Sequence, residues 1–267
     1  MEELIYKKTE QGDLCIRIYR PECSDEGRPA ILFFFGGAWK RGNLDQFKTH
    51  SEHLARHGMV AACAEYRVSD RHETTPIECV KDGRSAYRWL KVHAPDFGID
   101  TNRIAVGGGS AGGHVALCVS LAEAINEVTD DQTIACDPSL LALFNPVCDA
   151  TAWMDRFKDR EEALSISPVH LAGSHIPPST MFYGSEDRMI EEGRELVRLS
   201  HKIGVESELH VADGEKHSFF NKFPWLESTT DMMYRFLHHH GYVTSPSDVV
   251  TDKASALHDD ATDTTSS

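Results

Sequence analysis

The sequence predicts an α/β domain, a mostly parallel sheet of about eight strands with helices on both faces. Three observations predict it. Residues 30–35 and 59–66 are short apolar runs without alternation of polarity, the pattern of strands buried on both sides. Segments of helical period separate such runs, so successive strands need crossover connections and lie parallel. Residues 103–117 pass from an apolar strand through a dense glycine turn into a helix.

Taken in order, residues 5–8 and 14–20 alternate around Gln11-Gly12-Asp13 and read as an edge hairpin with one wet face. A polar loop follows over 21–29, then the buried strand at 30–35. The loop Gly36-Gly-Ala-Trp-Lys-Arg-Gly-Asn43 leads to a helix at about 45–57. A buried strand at 59–66 and a helix at 78–94 come next, the helix placing Val80, Gly83, Tyr87, Leu90 and Ala94 on one face. After the glycine turn and its helix, residues 139–144 and 179–183 read as strands. Between them the sequence is irregular, with a helix expected at 153–164. A helix at 190–203, a strand at 207–211 and a closing helix at 225–240 complete a single domain over 1–243. Residues 244–267 are Ser-, Thr- and Asp-rich with almost no large apolar side chains, and are expected to be disordered.

The 267 residues suffice for one large domain with a substantial core, and 40% hydrophobic with 26% charged residues is ordinary for a soluble protein. No apolar run approaches membrane-spanning length. The first eight residues lack the apolar core of a secretory signal, so the expected location is the cytoplasm. A net charge of −15 argues against nucleic-acid partners and strongly anionic polymers. Seven scattered cysteines without C-x-x-C spacing indicate neither a disulfide framework nor a zinc site, and no metal or cofactor is expected.

Gly108-Gly109-Ser110-Ala111-Gly112 fits the G-x-S-x-G elbow, in which a strained turn lifts a serine hydroxyl clear of the sheet edge. A serine needs a base to take its proton and a third group to orient that base. Asp187, in the loop after the strand at 179–183, is the preferred acid over Asp149 and Glu186. Asp149 also suits a helix cap. His217 follows the last predicted strand and is the expected base, chosen by position among 15 histidines. His114 has the wrong chain order for the base and is expected to pack beside Ser110. His238, His239 and His240 suit the carboxyl end of the closing helix. Oxyanion donors are expected from the Ala111 N–H and from the loop Gly36-Gly-Ala-Trp39. Trp39, Trp153, Phe219 and Phe220 are candidate pocket walls, with core packing the alternative.

Together these stretches resemble the α/β-hydrolase superfamily, and more closely the hormone-sensitive-lipase-like esterases and small acetyl and feruloyl esterases. The resemblance rests on Phe33-Phe-Phe-Gly-Gly-Ala-Trp39 with Gly42, Glu65-Tyr-Arg67, Asp100 with residues 103–106, the elbow, Gly184 with Asp187, and His217-Ser-Phe-Phe-Asn221. It implies Ser110, Asp187 and His217 as the triad and Gly37, Ala38 and Ala111 as oxyanion donors. Phe35 stands where the family loop usually carries a histidine, so the usual side-chain anchor is missing. Only about 35 residues precede that loop, too few for the cap usual in hormone-sensitive-lipase-like enzymes. The expected activity is therefore hydrolysis of short acyl esters, with acetylated carbohydrate among the candidate substrates. A peptidase- or formamidase-like amide hydrolase and a non-catalytic interaction module on the same scaffold are the alternatives.

Overall fold

The amino-terminal alternation folds as a hairpin: β1 (Glu2–Thr9) and β2 (Gly12–Tyr19) pair antiparallel, and Leu14, Ile16 and Ile18 of β2 turn inward and are buried. The computed structural model describes residues 1–22, 26–173, 176–243 and 257–259. The apolar runs become β3 (Arg28–Phe34), β4 (Val60–Ala64), β5 (Ile99–Gly109), β6 (Leu141–Phe144), β7 (Ser179–Gly184) and β8 (Ser207–Ala212). With β9 (Leu257–Asp259) they form one sheet in the order β1-β2-β4-β3-β5-β6-β7-β8-β9. The run from β4 through β8 is parallel, while β2 meets β4 and β9 meets β8 antiparallel. Every residue of β3, β4, β6 and β7 is buried, which explains why, Arg28 at the start of β3 apart, they are mostly apolar or small.

The helices are α1 (Lys48–Arg56), α2 (Ser69–His72), α3 (Pro76–Val92), α4 (Ala111–Leu121), α5 (Arg160–Ser165), α6 (Pro168–Leu171), α7 (Ile190–Lys202) and α8 (Trp225–His239). α3 begins two residues earlier than the apolar period indicates. Thr75 accepts from Ile77 N–H, Glu78 reaches back to the Thr75 N–H, and Pro76 fills the first turn. None of the described helices is long and apolar enough to cross a membrane.

Three expectations need correction. The helix at 153–164 is two pieces: a 3-10 turn (Ala150–Arg156), kinked at Trp153 with φ −122° and ψ 39°, and then α5. Asp159 separates them because its carboxylate caps α5 by accepting from Glu162 N–H at 2.9 Å. The strand around Ser110 is longer than residues 104–106, since glycines 107–109 continue its ladder onto β3 and β6. Most of the expected disordered segment 244–267 lies outside the described residues. Its residues 257–259 form β9, because pairing along the open edge of β8 uses backbone groups and needs no apolar side chains.

Candidate active site

Ser110 sits where β5 meets α4, with φ 53° and ψ −119°, a conformation that an L-residue holds only under strain. Its N–H donates to Phe144 O at 2.8 Å, which ties the turn to β6. Every residue of α4 is buried, so the mount behind the serine has no solvent face. Gly112 permits this placement: a Cβ there would lie 2.2 Å from Phe34 O and 2.3 Å from Phe35 O.

His217 and Asp187 follow β8 and β7, so the three groups collect at the carboxyl ends of the parallel strands β5, β7 and β8. His217 Nε2 lies 2.9 Å from Ser110 Oγ, and His217 Nδ1 lies 2.7 Å from Asp187 Oδ2. The Asp187 side chain is fully buried, and its other oxygen accepts from Met189 N–H at 3.1 Å. The other two acids are elsewhere engaged. Asp149 caps the turn at 150–156 through Thr151 N–H at 2.8 Å, and the exposed Glu186 lies 3.8 Å from Lys216. Asn145, which the sequence did not mark, holds the histidine loop: its Oδ1 accepts from Ser218 N–H at 3.0 Å.

The loop after β3 runs through Gly37 (φ 138°), Ala38 (φ 55°) and Trp39 (φ 58°). This left-handed path curls the chain so that the Lys40 and Arg41 N–H groups both donate to Gly37 O, at 3.0 and 3.3 Å. The Gly37 and Ala38 N–H groups have no acceptor among the described residues, and Ala111 N–H opens a helix and has no intrahelical partner. In place of the missing histidine, two side chains secure this loop. Gln46 Oε1 accepts from Gly36 N–H at 2.5 Å while its Nε2 donates to Asn221 Oδ1 at 3.2 Å, and Tyr66 OH donates to Phe35 O at 2.6 Å. Tyr66 also stacks on the Phe35 ring at 4.4 Å. Its neighbour Arg67 is fixed by two bonds of 2.8 Å to the buried carboxylate of Asp82.

The candidate walls separate into two kinds. Trp153 lines a cavity of about 340 Å³, together with Gly37, Ala38 and His217. Trp39 is buried behind it, edge-on to Trp153 at 5.6 Å, with its indole N–H donating to His114 Nδ1 at 3.3 Å. Phe219 and Phe220 are core residues: Phe219 packs edge-on to Trp225, and Phe220 packs on Phe47 and Phe144. The reason is local, since Ser218 at φ 67° turns the chain inward immediately after His217. The His114 ring is hydrogen-bonded to Trp39 and Ile166, and only its backbone N–H reaches Ser110, donating to Ser110 O at 3.0 Å. Because Nδ1 accepts from Trp39, Nε2 carries the proton and donates to Ile166 O at 2.7 Å. Burial pushes this imidazole's pKa down to about 4. Among the described residues, one cluster has metal-ligating character. It is Glu206 with His239 and His240, on the surface at the start of β8, whereas His217 follows that strand's other end.

A family model for BD-FAE matches residues 16–150, half of the chain, and includes the loop at 36–42 and the elbow. The chain belongs to the BD-FAE family. The match to the BD-FAE model ends before Asp187 and His217, whereas likeness to a solved structure covers most of the chain. An esterase of Thermogutta terrifontis is 32% identical with a TM-score of 0.87, covering 92% of this chain and 95% of its own. Other structures of that esterase are described with propionate or butyrate bound, and as phosphonylated by sarin. An AB hydrolase superfamily protein of Schizosaccharomyces pombe is 33% identical over 51% of this chain and 39% of its own length. An isoprenylcysteine alpha-carbonyl methylesterase of Arabidopsis thaliana is 26% identical over 75% of this chain and 53% of its own length. The chain thus spans less than two thirds of these two curated relatives. BD-FAE membership and the Thermogutta likeness place it in the α/β-hydrolase fold, beside a protein described as an esterase.

Proposed function

We propose that this protein is a serine carboxylesterase that removes short acyl groups through an acyl-enzyme on Ser110. The observation that carries the reading is the unbroken chain from Ser110 Oγ to His217 Nε2 at 2.9 Å and from His217 Nδ1 to Asp187 Oδ2 at 2.7 Å. His217 takes the hydroxyl proton as Ser110 Oγ bonds to the ester carbonyl carbon, and Asp187 holds the Nδ1–H tautomer and stabilises the imidazolium. The charge on the carbonyl oxygen is met by the N–H groups of Gly37, Ala38 and Ala111. The imidazolium returns its proton to the leaving alkoxide as the carbon–oxygen bond breaks. Water, deprotonated by the same imidazole, then releases the acid and restores Ser110.

A short acyl group fits a modest cavity backed by Trp153 and Trp39. The propionate and butyrate complexes of the Thermogutta esterase support the same size class. Acetyl groups on carbohydrate are the proposed natural targets within it. Ser110→Ala should lower kcat on 4-nitrophenyl acetate by roughly 10⁴- to 10⁶-fold and abolish labelling by a fluorophosphonate probe. Full turnover by that variant would end the proposal. A panel of acyl lengths from acetate to octanoate, with acetylated sugars, tests the size and the alcohol.

A further inference from the structure

The wall of the cavity beside His217 contains, besides the backbone donors and Trp153, two cations and one carboxylate: Lys40, Arg41 and Asp70. A third cation stands next to it, the Arg188 guanidinium 4.4 Å over the Trp153 ring. In a chain with 42 acidic and 27 basic side chains, most guanidiniums of the sheet and helices find carboxylates, as Arg17, Arg67, Arg88, Arg103 and Arg198 do. Lys40, Arg41 and Arg188 pair with no carboxylate among the described residues. Asp70 is held nearby through its backbone, its N–H donating to Lys40 O at 3.0 Å, and its carboxylate forms no ion pair with either cation.

The backbone makes this arrangement part of the site. Gly37, Ala38 and Trp39 are all at positive φ, and the curl they form closes on Gly37 O through the N–H groups of Lys40 and Arg41. The two cations therefore follow directly on the residues whose N–H groups face the reacting carbonyl. We infer that the substrate carries an anionic group in addition to its ester, a carboxylate on the same small molecule, and that Lys40 and Arg41 hold it. The inference rests on the esterase reading and narrows its substrate class.

Charge-assisted hydrogen bonds are about twice as strong as neutral ones, and the guanidinium fork matches a carboxylate. A neutral sugar hydroxyl would gain no charge-assisted bond from the two cations, which face a single carboxylate in the wall, Asp70. The chain's net charge of −15 does not oppose a small anion here. Exposed charges beyond about 8 Å are largely screened at physiological ionic strength, so the nearest side chains set the local sign. Those are two cations against Asp70, with Arg188 beyond them.

The test compares kcat/KM for two pairs of esters, each value normalised to the ester's own alkaline hydrolysis rate. Phenyl acetate against 4-acetoxybenzoate puts the anion on the alcohol. Butyrate against hydrogen glutarate, both as 4-nitrophenyl esters, puts it on the acyl group. In the wild type, one anionic ester should exceed its neutral partner by about tenfold, the effect of a single charge-assisted bond. The double variant Lys40→Gln/Arg41→Gln should return that ratio to near one. Arg41→Glu should invert it, and Arg41→Lys should restore part of it. Neutral esters turned over as well as both anionic partners by the wild type would overturn the inference while leaving the esterase reading intact. A ratio that survives the double substitution would do the same. No turnover of any of the four esters, with no fluorophosphonate labelling, would remove the esterase reading and this inference with it.

Discussion

Phe35 stands where the sequence leaves an anchor missing, and the structure fills the gap with Gln46. That side chain spans the site, with its oxygen on Gly36 N–H and its nitrogen on Asn221 in the histidine loop. Gln46→Ala should leave melting nearly unchanged and lower kcat by about ten- to a hundredfold with little change in KM. On the proposed mechanism the expected loss lies below the hundred- to thousandfold of deleting an oxyanion donor, because the substitution leaves every backbone N–H in place. Gln46→Glu, which keeps the acceptor for Gly36 and loses the donor to Asn221, should fall between. Steady-state kinetics on 4-nitrophenyl acetate reads both. The departure at Phe35 was legible in the sequence, but its remedy was not. A glutamine ten residues beyond Gly36 carries no local signal, and its role exists only once the loop folds over it. Asn145 was hidden for the same reason, whereas Ser110, Asp187 and His217 could be chosen because motif and chain order are properties of the sequence itself.

At the scale of elements, glycine has two uses around β5. Glycines 107–109 lie in the strand, and a Cβ on Gly107 would meet the Phe33 ring at 2.8 Å, so the absent side chain makes room for an aromatic on β3. A sequence reading takes the same glycines as turn, because glycine is otherwise a weak strand former. Gly112 instead lets α4 press against the end of β3. Gly112→Ala should destabilise the fold by about 3 kcal/mol, since backbone rather than a flexible side chain must move. For a domain of this size the melting temperature should fall by roughly 6–12 °C, measurable by differential scanning fluorimetry. The buried parallel strands were legible because burial on both faces leaves an apolar run, whereas β9 gave no such signal. The segment from 150 to 171 was not, since short turns ended by caps such as Asp159 give no sustained period.

For the molecule as a whole, several imidazoles are held neutral in the interior. Burial pushes His50 down to about 3 and His114 down to about 4, from an ordinary 6.5. Between pH 6.5 and about 4 the unfolded chain takes up protons that the folded chain refuses. Their contribution is complete above pH 6.5 and declines as the pH falls, by about 1.4 kcal/mol per pH unit for each group. His50 sits among Phe33, Phe47 and Phe144, and neither ring nitrogen has a hydrogen-bond partner among the described residues. His50→Phe should therefore raise stability at pH 5 more than at pH 7, and urea melts at the two pH values would show it as a shallower acid dependence. The hydroxyl and imidazole that meet beneath the cavity are 107 positions apart in the chain, and only the parallel sheet brings them together. The helix that begins immediately after Ser110 is walled in on every side. Evolution or an engineer has no purchase on it, and remodelling for a new ester must come from the rim, in the kinked stretch bearing Trp153 and the curl bearing Lys40 and Arg41, where replacements can alter what is admitted while the reacting oxygen keeps its station.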